Sequence, residues 1–248
     1  MSGKSKRSII KYFSPGELAL WCSSMTLIIL SYAVFDRDSV LTLIASLIGV
    51  TSLIFCAKGN PAGQLLMIIF SLLYGYISWT FSYYGEMATY LGMTAPMALL
   101  ALISWLRNPY DGNRAQVRVS RMTRRDVWVT VGLAVPVTVA FYFILRALGT
   151  ANLIPGTISV TTSFFGVWLT YKRSPWFALA YAANDLVLIV LWVLAAMEDS
   201  SYVSVVTCFI AFFVNDVYGF ISWVNMEKRQ REARVTDPLS VCPSGENK

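Results

Sequence analysis

Eight apolar stretches, each close to the ~20 residues a helix needs to cross a bilayer, occupy most of this 248-residue chain. They fall at about 18–35, 39–57, 64–84, 87–106, 127–145, 151–171, 176–197 and 202–224. In lipid, every backbone polar group must be satisfied within the segment, so stretches of this length become helices. Only 14% of the residues are charged, against about 25% in a soluble domain. The pattern therefore predicts an all-α polytopic membrane protein with a lipid bilayer as its solvent. The N-terminus is basic, but no small-residue cleavage site follows the first apolar run, so no signal peptide is expected.

The charges set an orientation. Lys4, Lys6, Arg7 and Lys11 precede the first stretch, Lys58 follows the second, and Lys172-Arg173 follow the sixth. The loop 107–126 carries Arg107, Arg114, Arg118, Arg121, Arg124 and Arg125, and the tail from Asn225 is also charged. The remaining connections are acidic or nearly uncharged, apart from Arg146, and the two kinds alternate along the chain. Lys/Arg-rich connections stay inside, which predicts a multi-pass protein of the cell inner membrane with both termini cytoplasmic. The same rule accounts for the net charge of +6 without nucleic acid, since no aromatic platform is interleaved with the arginines.

Enzyme chemistry finds little support. The chain has no His, CxxC, GxSxG, Walker A motif or strand-borne GxGxxG. Cys22, Cys56 and Cys208 lie in apolar stretches and Cys242 in the tail, as small hydrophobes do. No metal and no cofactor is expected. The one remaining acid–base constellation is Asp185 with Asp216.

Ile-Ser-Trp occurs at 77–79, 103–105 and 221–223. Feature order selects the last two as equivalents: Lys58 and Lys172 are 114 apart, Trp105 and Trp223 are 118 apart, and Asn108 and Asn225 follow the tryptophans. The chain then divides into a basic N-terminus 1–17, an extra N-terminal helix 18–38, a three-helix repeat 39–106, and a basic loop 107–126. A connector 127–150, a second three-helix repeat 151–224 and a tail 225–248, expected to be disordered, complete it. One connector helix returns the chain to its starting side, so both trios enter in the same direction. This is a 3+1+3 parallel repeat, of a kind that holds substrate between its halves near the midplane.

The polar exceptions inside the apolar stretches mark the candidate site. Asn184-Asp185 and Asn215-Asp216 each interrupt a stretch otherwise fit for lipid. A carboxylate there costs roughly 2.5–3.5 kcal/mol on insertion scales and faces a bundle interior or a wet cavity. Counting 1.5 Å per residue from Lys172 and Lys228 puts the two pairs about 18 and 20 Å deep, at matching levels. Asn215, Tyr218 and Ser222 share a face, with Asp216, Gly219 and Trp223 on the adjoining stripe. Tyr181 is the aromatic residue nearest Asn184, and Trp176 is either a site residue or an interfacial anchor, like Trp105 and Trp128. The third stretch offers Gln64, Ser71 and Tyr74, and the fourth offers Tyr90 and Thr94, the latter alternatively bonded to backbone beside Pro96. Glu86, at an outer end, is expected to be solvated, and the Asn residues have the alternative role of interhelical glue. Phe70 and Met97 occupy the first-repeat positions that face the pairs, so most hydrogen bonds should come from the second repeat.

The Lys-bearing inner turns, mid-helix Asn184, Asn215 leading to Tyr218-Gly219 and Trp223, and the Trp105-x-x-Asn108 exit, taken in this order over about 39–226, resemble the Pnu family of bacterial vitamin transporters, in its PnuC-type branch. The resemblance implies a 3+1+3 fold similar to SWEET carriers but wired differently, and a homo-oligomer, often a trimer. It also implies facilitated diffusion of a small-molecule substrate, nicotinamide riboside, which intracellular phosphorylation traps. Related members carry thiamin or riboflavin, and a non-transporting membrane assembly protein is the reading from a different class. The Asp beside each Asn departs from the family pattern. Asp185 or Asp216 would offset the charge of a cationic ring, and Asn-type partners would suit ribose hydroxyls.

Overall fold

The computed structural model describes residues 12–37, 39–80, 84–150 and 152–236. Lys4, Lys6, Arg7, Lys11, Asp38 and the end of the tail with Cys242 lie outside the described residues. The eight apolar stretches are helices: α1 Pro15–Phe35, α2 Val40–Ala57, α3 Pro61–Thr80 and α4 Tyr84–Leu106 come before the long loop. After it come α5 Arg124–Ala147, α6 Leu153–Tyr171, α7 Trp176–Ala196 and α8 Val203–Thr236. All eight spans are long and apolar enough to cross a membrane.

Local chemistry sets the ends. Ser14 and Glu17 form a capping box at α1, and Thr123 and Asp126 form one at α5, each satisfying otherwise orphaned N–H groups. Pro96 cannot donate to the carbonyl four residues back and its ring crowds that turn. The preceding turn of α4 accordingly widens into a π-helical segment, Tyr90–Thr94, in which the Ala95 N–H reaches the Tyr90 carbonyl. The α2–α3 and α6–α7 turns each pass through a left-handed residue, Gly59 (φ 66°) and Arg173 (φ 58°). At Gly59 a Cβ would come within 3.2 Å of Met226 and Val117, so the glycine also permits a close approach.

Two trios form the bundle. Helix α3 packs on α2 and α4, and α7 packs on α6 and α8. The trios meet where α8 lies on α2 and α4 lies on α6, while α1 rests on α2 and α8, and α5 on α6. The Lys58 and Lys172 turns occupy one end, called here the basic end. The long loop closes beneath it.

Three features depart from expectation. The loop is not featureless: Pro109–Tyr110 (β1) and Asn113–Val117 (β2) form an antiparallel hairpin around Asp111-Gly112, both at positive φ. Past the hairpin, the Val117 N–H bonds to the Gly59 carbonyl at 2.9 Å and the Ser120 N–H to that of Arg173 at 3.0 Å. The start of the tail is ordered as well, since α8 continues to Thr236. Buried Gln230 fastens it by accepting from the Val119 N–H and donating to the Val117 carbonyl. Finally, Trp105 is no interfacial anchor but is wholly buried. Trp128 and Trp176 do lie exposed.

Candidate functional site

Adjacent residues on a helix point about 100° apart, and this separates the two members of each Asn-Asp pair. Asn184 turns toward α6, where its Oδ1 accepts from Ser159 (3.0 Å), Thr162 (2.9 Å) and Ser163 (3.1 Å). Asn215 donates to Ser24 on α1 at 2.9 Å and to the Ala211 carbonyl at 2.8 Å, while its own Oδ1 is buried without a partner. Both asparagines thus hold helices together.

The two aspartates turn toward each other. Asp185 and Asp216 are both buried and their side chains interact directly across the α7–α8 contact. The matching depths read from the sequence bring these carboxyl groups together. Two carboxyl groups this close repel each other when both are charged. Neither Asn supports its neighbouring Asp.

Below this level, toward the basic end, Trp105 and Trp223 pack at a tilt of 48° with centroids 5.3 Å apart. The Trp105 indole donates to the Thr170 carbonyl at 2.9 Å, and the Trp223 indole to the Cys56 carbonyl at 2.7 Å. Ser104 and Ser222 repeat the pattern, donating to the carbonyls of Tyr171 and Ala57. Val117, Val119, Phe177 and Met226 complete an apolar layer around the two tryptophans. Trp79, the third Ile-Ser-Trp copy, is 55% exposed instead.

Above the aspartates, aromatic rings gather. Tyr74 lies 4.7 Å from Tyr90, and Phe70 lies 5.5 and 5.8 Å from those two rings. Phe209 and Phe212 of α8 close the group. Two cavities reach these rings from the end opposite the basic one. One, of about 640 Å³, is lined by Glu86, Thr89, Tyr90, Ser159, Ser163 and Trp192, with Glu198 among its other wall residues. The other, of about 400 Å³, is lined by Asp36, Tyr74, Ser78, Trp192, Asp199 and Tyr202, among others. Trp192 belongs to both walls and stacks 5.4 Å from Tyr202. Neither lining contains Lys or Arg. At the mouth, hydrogen bonds from Ser201 hold the Asp199 carboxyl below the usual carboxylate range, so it stays charged there.

A third cavity, of about 750 Å³, opens at the basic end between Tyr12, Glu17, Lys58, Tyr218, Ser222 and Arg229, with further residues around them. Lys58 pairs with Glu17 at 2.9 Å, and the Tyr218 hydroxyl donates to the same carboxylate at 3.1 Å.

The sequence-derived residues therefore divide. Tyr74 lines an outer cavity, Asn184 stands directly behind the serines of the other, and Tyr218 and Ser222 line the basic-end cavity. Tyr181 packs beneath Gly166, Trp176 stacks on Phe220, and Gln64 donates to the Cys56 sulfur at 3.2 Å. Ser71 and Thr94 bond to carbonyls of their own helix, those of Met67 and Thr89. Residues passed over by the sequence reading stand in the cavity walls: Trp192 and Tyr202, and Glu86, which is not freely solvated because its Oε2 is buried. A signal for Trp192 existed, since it follows Asp185 by seven residues and so shares its face. Among the described residues, no three Cys, Asp or Glu gather as a metal set.

Two relatives are named nicotinamide riboside transporter PnuC. The protein from Neisseria mucosa is 28% identical over 202 residues, spanning 79% of this chain and 76% of that one. The protein from Haemophilus influenzae is 22% identical over 234 residues, spanning 92% and 98%. The crystal structure of the vitamin B3 transporter PnuC superposes with a TM-score of 0.79 at 24% identity, covering 93% of this chain and 99% of that one, and it shares the all-α polytopic membrane fold. The family described as nicotinamide mononucleotide transporter matches residues 39–225, which span both trios, the loop and the connector, and this chain belongs to that family of membrane transporters.

Proposed function

We propose that this chain carries nicotinamide riboside across the cytoplasmic membrane by facilitated diffusion, with phosphorylation inside the cell trapping the product. The observation that carries the substrate is the outer aromatic group Tyr74, Tyr90 and Trp192 beside the hydroxyls of Ser159 and Ser163. A cationic nicotinamide ring is attracted to aromatic faces, and a ribose requires hydroxyl and amide partners. The two relatives' names point the same way. The nucleotide in the family's description fits less well, because its phosphate is anionic and the outer linings hold Asp36, Glu86, Glu198 and Asp199 without a Lys or Arg.

The basic end is then cytoplasmic by the charge rule, and the outer cavities face the cell exterior. The reciprocal indole bonds of Trp105 and Trp223 support a 3+1+3 repeat with its axis along the membrane normal. Their acceptors, Cys56 and Thr170, keep the 114-residue offset of Lys58 and Lys172. Aromatic faces of the first trio and hydroxyls of the second would meet the substrate together. The homo-trimer implied by the family resemblance is kept as part of this reading.

Calorimetric binding of nicotinamide riboside, nicotinamide mononucleotide, thiamin and riboflavin to the purified chain tests the proposal. Nicotinamide riboside should bind tightest. Tighter binding of another vitamin would replace the substrate and keep the transporter.

A further inference from the structure

We infer that Glu86 is the counter-charge through which the outer cavity selects a permanently cationic aromatic ring over a neutral one of the same shape. This rests on the transport reading above and adds a specificity residue to it.

Several acidic side chains in the bundle have a charged or carboxyl partner. Glu17 pairs with Lys58, Asp126 with Lys172, Glu227 with Arg121, and Asp185 meets Asp216. Glu86 has no such match among the described residues: its Oε2 is buried without a hydrogen-bond partner. It faces the hydroxyls of Tyr74 and Ser78 across the α3–α4 contact, yet the Tyr74 hydroxyl is also buried without a formed hydrogen bond, on a residue only 5% exposed. Glu86 thus has only neutral hydroxyls before it, and neither its Oε2 nor the Tyr74 hydroxyl forms a bond elsewhere. Buried polar groups are nearly always bonded, and an exception calls for a missing partner.

The missing partner is positively charged. Glu86 lines the 640 Å³ cavity together with Tyr90, one helical turn on. The Tyr90 ring lies 4.7 Å from that of Tyr74. A flat cation between these rings and the carboxylate would gain both the attraction of the aromatic faces and that of the charge. No Lys or Arg lines either outer cavity, so a neutral ring would leave the carboxylate uncompensated.

The test compares nicotinamide riboside with its reduced dihydro form, which keeps the ribose and carboxamide but carries no ring charge. Wild type should bind the cation at least about tenfold tighter, the scale of one hydrogen bond to a charged group. Glu86→Gln should lose about that factor for the cation and little for the neutral form. Glu86→Asp should retain part of the preference, and Glu232→Gln, exposed on the far end of α8 and outside every cavity, all of it. A wild-type preference surviving in Glu86→Gln, or an equal loss for both ligands, would overturn the inference. Failure of wild type to bind either form would instead overturn the transport reading beneath it. Should Glu86→Gln not fold, carbodiimide labelling of wild type read by mass spectrometry decides: nicotinamide riboside should slow labelling at Glu86, and no protection there refutes the role.

Discussion

Trp105 and Trp223 lean on each other at 5.3 Å while each indole donates to a carbonyl at the end of the opposite trio's first helix. The two trios are tied to one another twice by the same bond. The tie lies between the aspartate pair and the basic end. Its breaking is the natural way for that end to open, because the bonds cross from trio to trio and must change if the trios rock.

Trp105→Phe and Trp223→Phe should each cost ~0.5–1.5 kcal/mol, the net worth of one hydrogen bond, since the Cys56 and Thr170 carbonyls keep the N–H groups of Gly59 and Arg173. Both should also raise the labelling of buried Cys56 by a maleimide added from the basic side. Unchanged labelling in both variants would mean that the clasp does not hold that end shut.

The two lysine pairs should differ in worth. Lys58 and Glu17 have side chains only 20% and 7% exposed, against 32% and 27% for Lys172 and Asp126. Lys58→Met removes the cation from a buried carboxylate that keeps only the Ser14 N–H and the Tyr218 hydroxyl and should cost ~1.5–3 kcal/mol. Lys172→Met should cost less, because solvent screens that pair. Thermal unfolding in detergent ranks them, and a larger loss at Lys172 would contradict the burial argument.

Orientation is expected from the basic connections, with both termini cytoplasmic. Reporter fusions at the tail should be active only in the cytoplasmic form. An active external reporter would reverse the assignment of every cavity to its side.

The substrate should depend on the rings of the first trio as well as on the hydroxyls of the second. Tyr74 and Tyr90 line the outer cavities, so Tyr74→Leu and Tyr90→Leu should each weaken nicotinamide riboside binding by ~0.5–2 kcal/mol, the range of a cation–π contact. Asn184→Ala frees three hydroxyls of α6 and should lower the melting temperature along with the affinity. Rings that tolerate removal without loss of binding would move the site away from the outer cavities.

The helices were legible because lipid leaves no other backbone solution for stretches of that length. The Trp105–Trp223 correspondence was legible from spacing alone, and so was the common depth of Asp185 and Asp216. What escaped lay beyond the reach of hydropathy. The Asp111-Gly112 turn signalled a hairpin, but the surrounding charges concealed it. The tail reads as polar, and only the bonds of Gln230 to a distant loop show why α8 persists. Glu86 stands at a helix end, where a sequence suggests water; its environment depends on how α3 and α4 pack. Capping also gave α1 and α5 a shared role that the labels of extra helix and connector missed. Each offers a first-turn carboxylate to the lysine that ends the next helix.

The last expectation concerns energy coupling. A carrier driven by protons needs an intramembrane acid that gains and loses a proton as access alternates. Asp185 and Asp216 are the obvious candidates, and their neighbouring asparagines point elsewhere: Asn184 bonds to α6 and Asn215 to α1. The aspartates instead face each other, between α7 and α8 of a single trio. If the trios move as bodies, that contact is preserved through the cycle and neither carboxyl changes its surroundings. A pH gradient imposed on proteoliposomes should therefore produce no accumulation of nicotinamide riboside above equilibrium, while an enclosed kinase should. Asp216→Asn, which keeps the shape and removes one carboxyl, should keep a substantial part of the downhill flux. Accumulation driven by the gradient alone, abolished in Asp216→Asn, would identify the pair as a proton carrier and end the facilitated-diffusion reading.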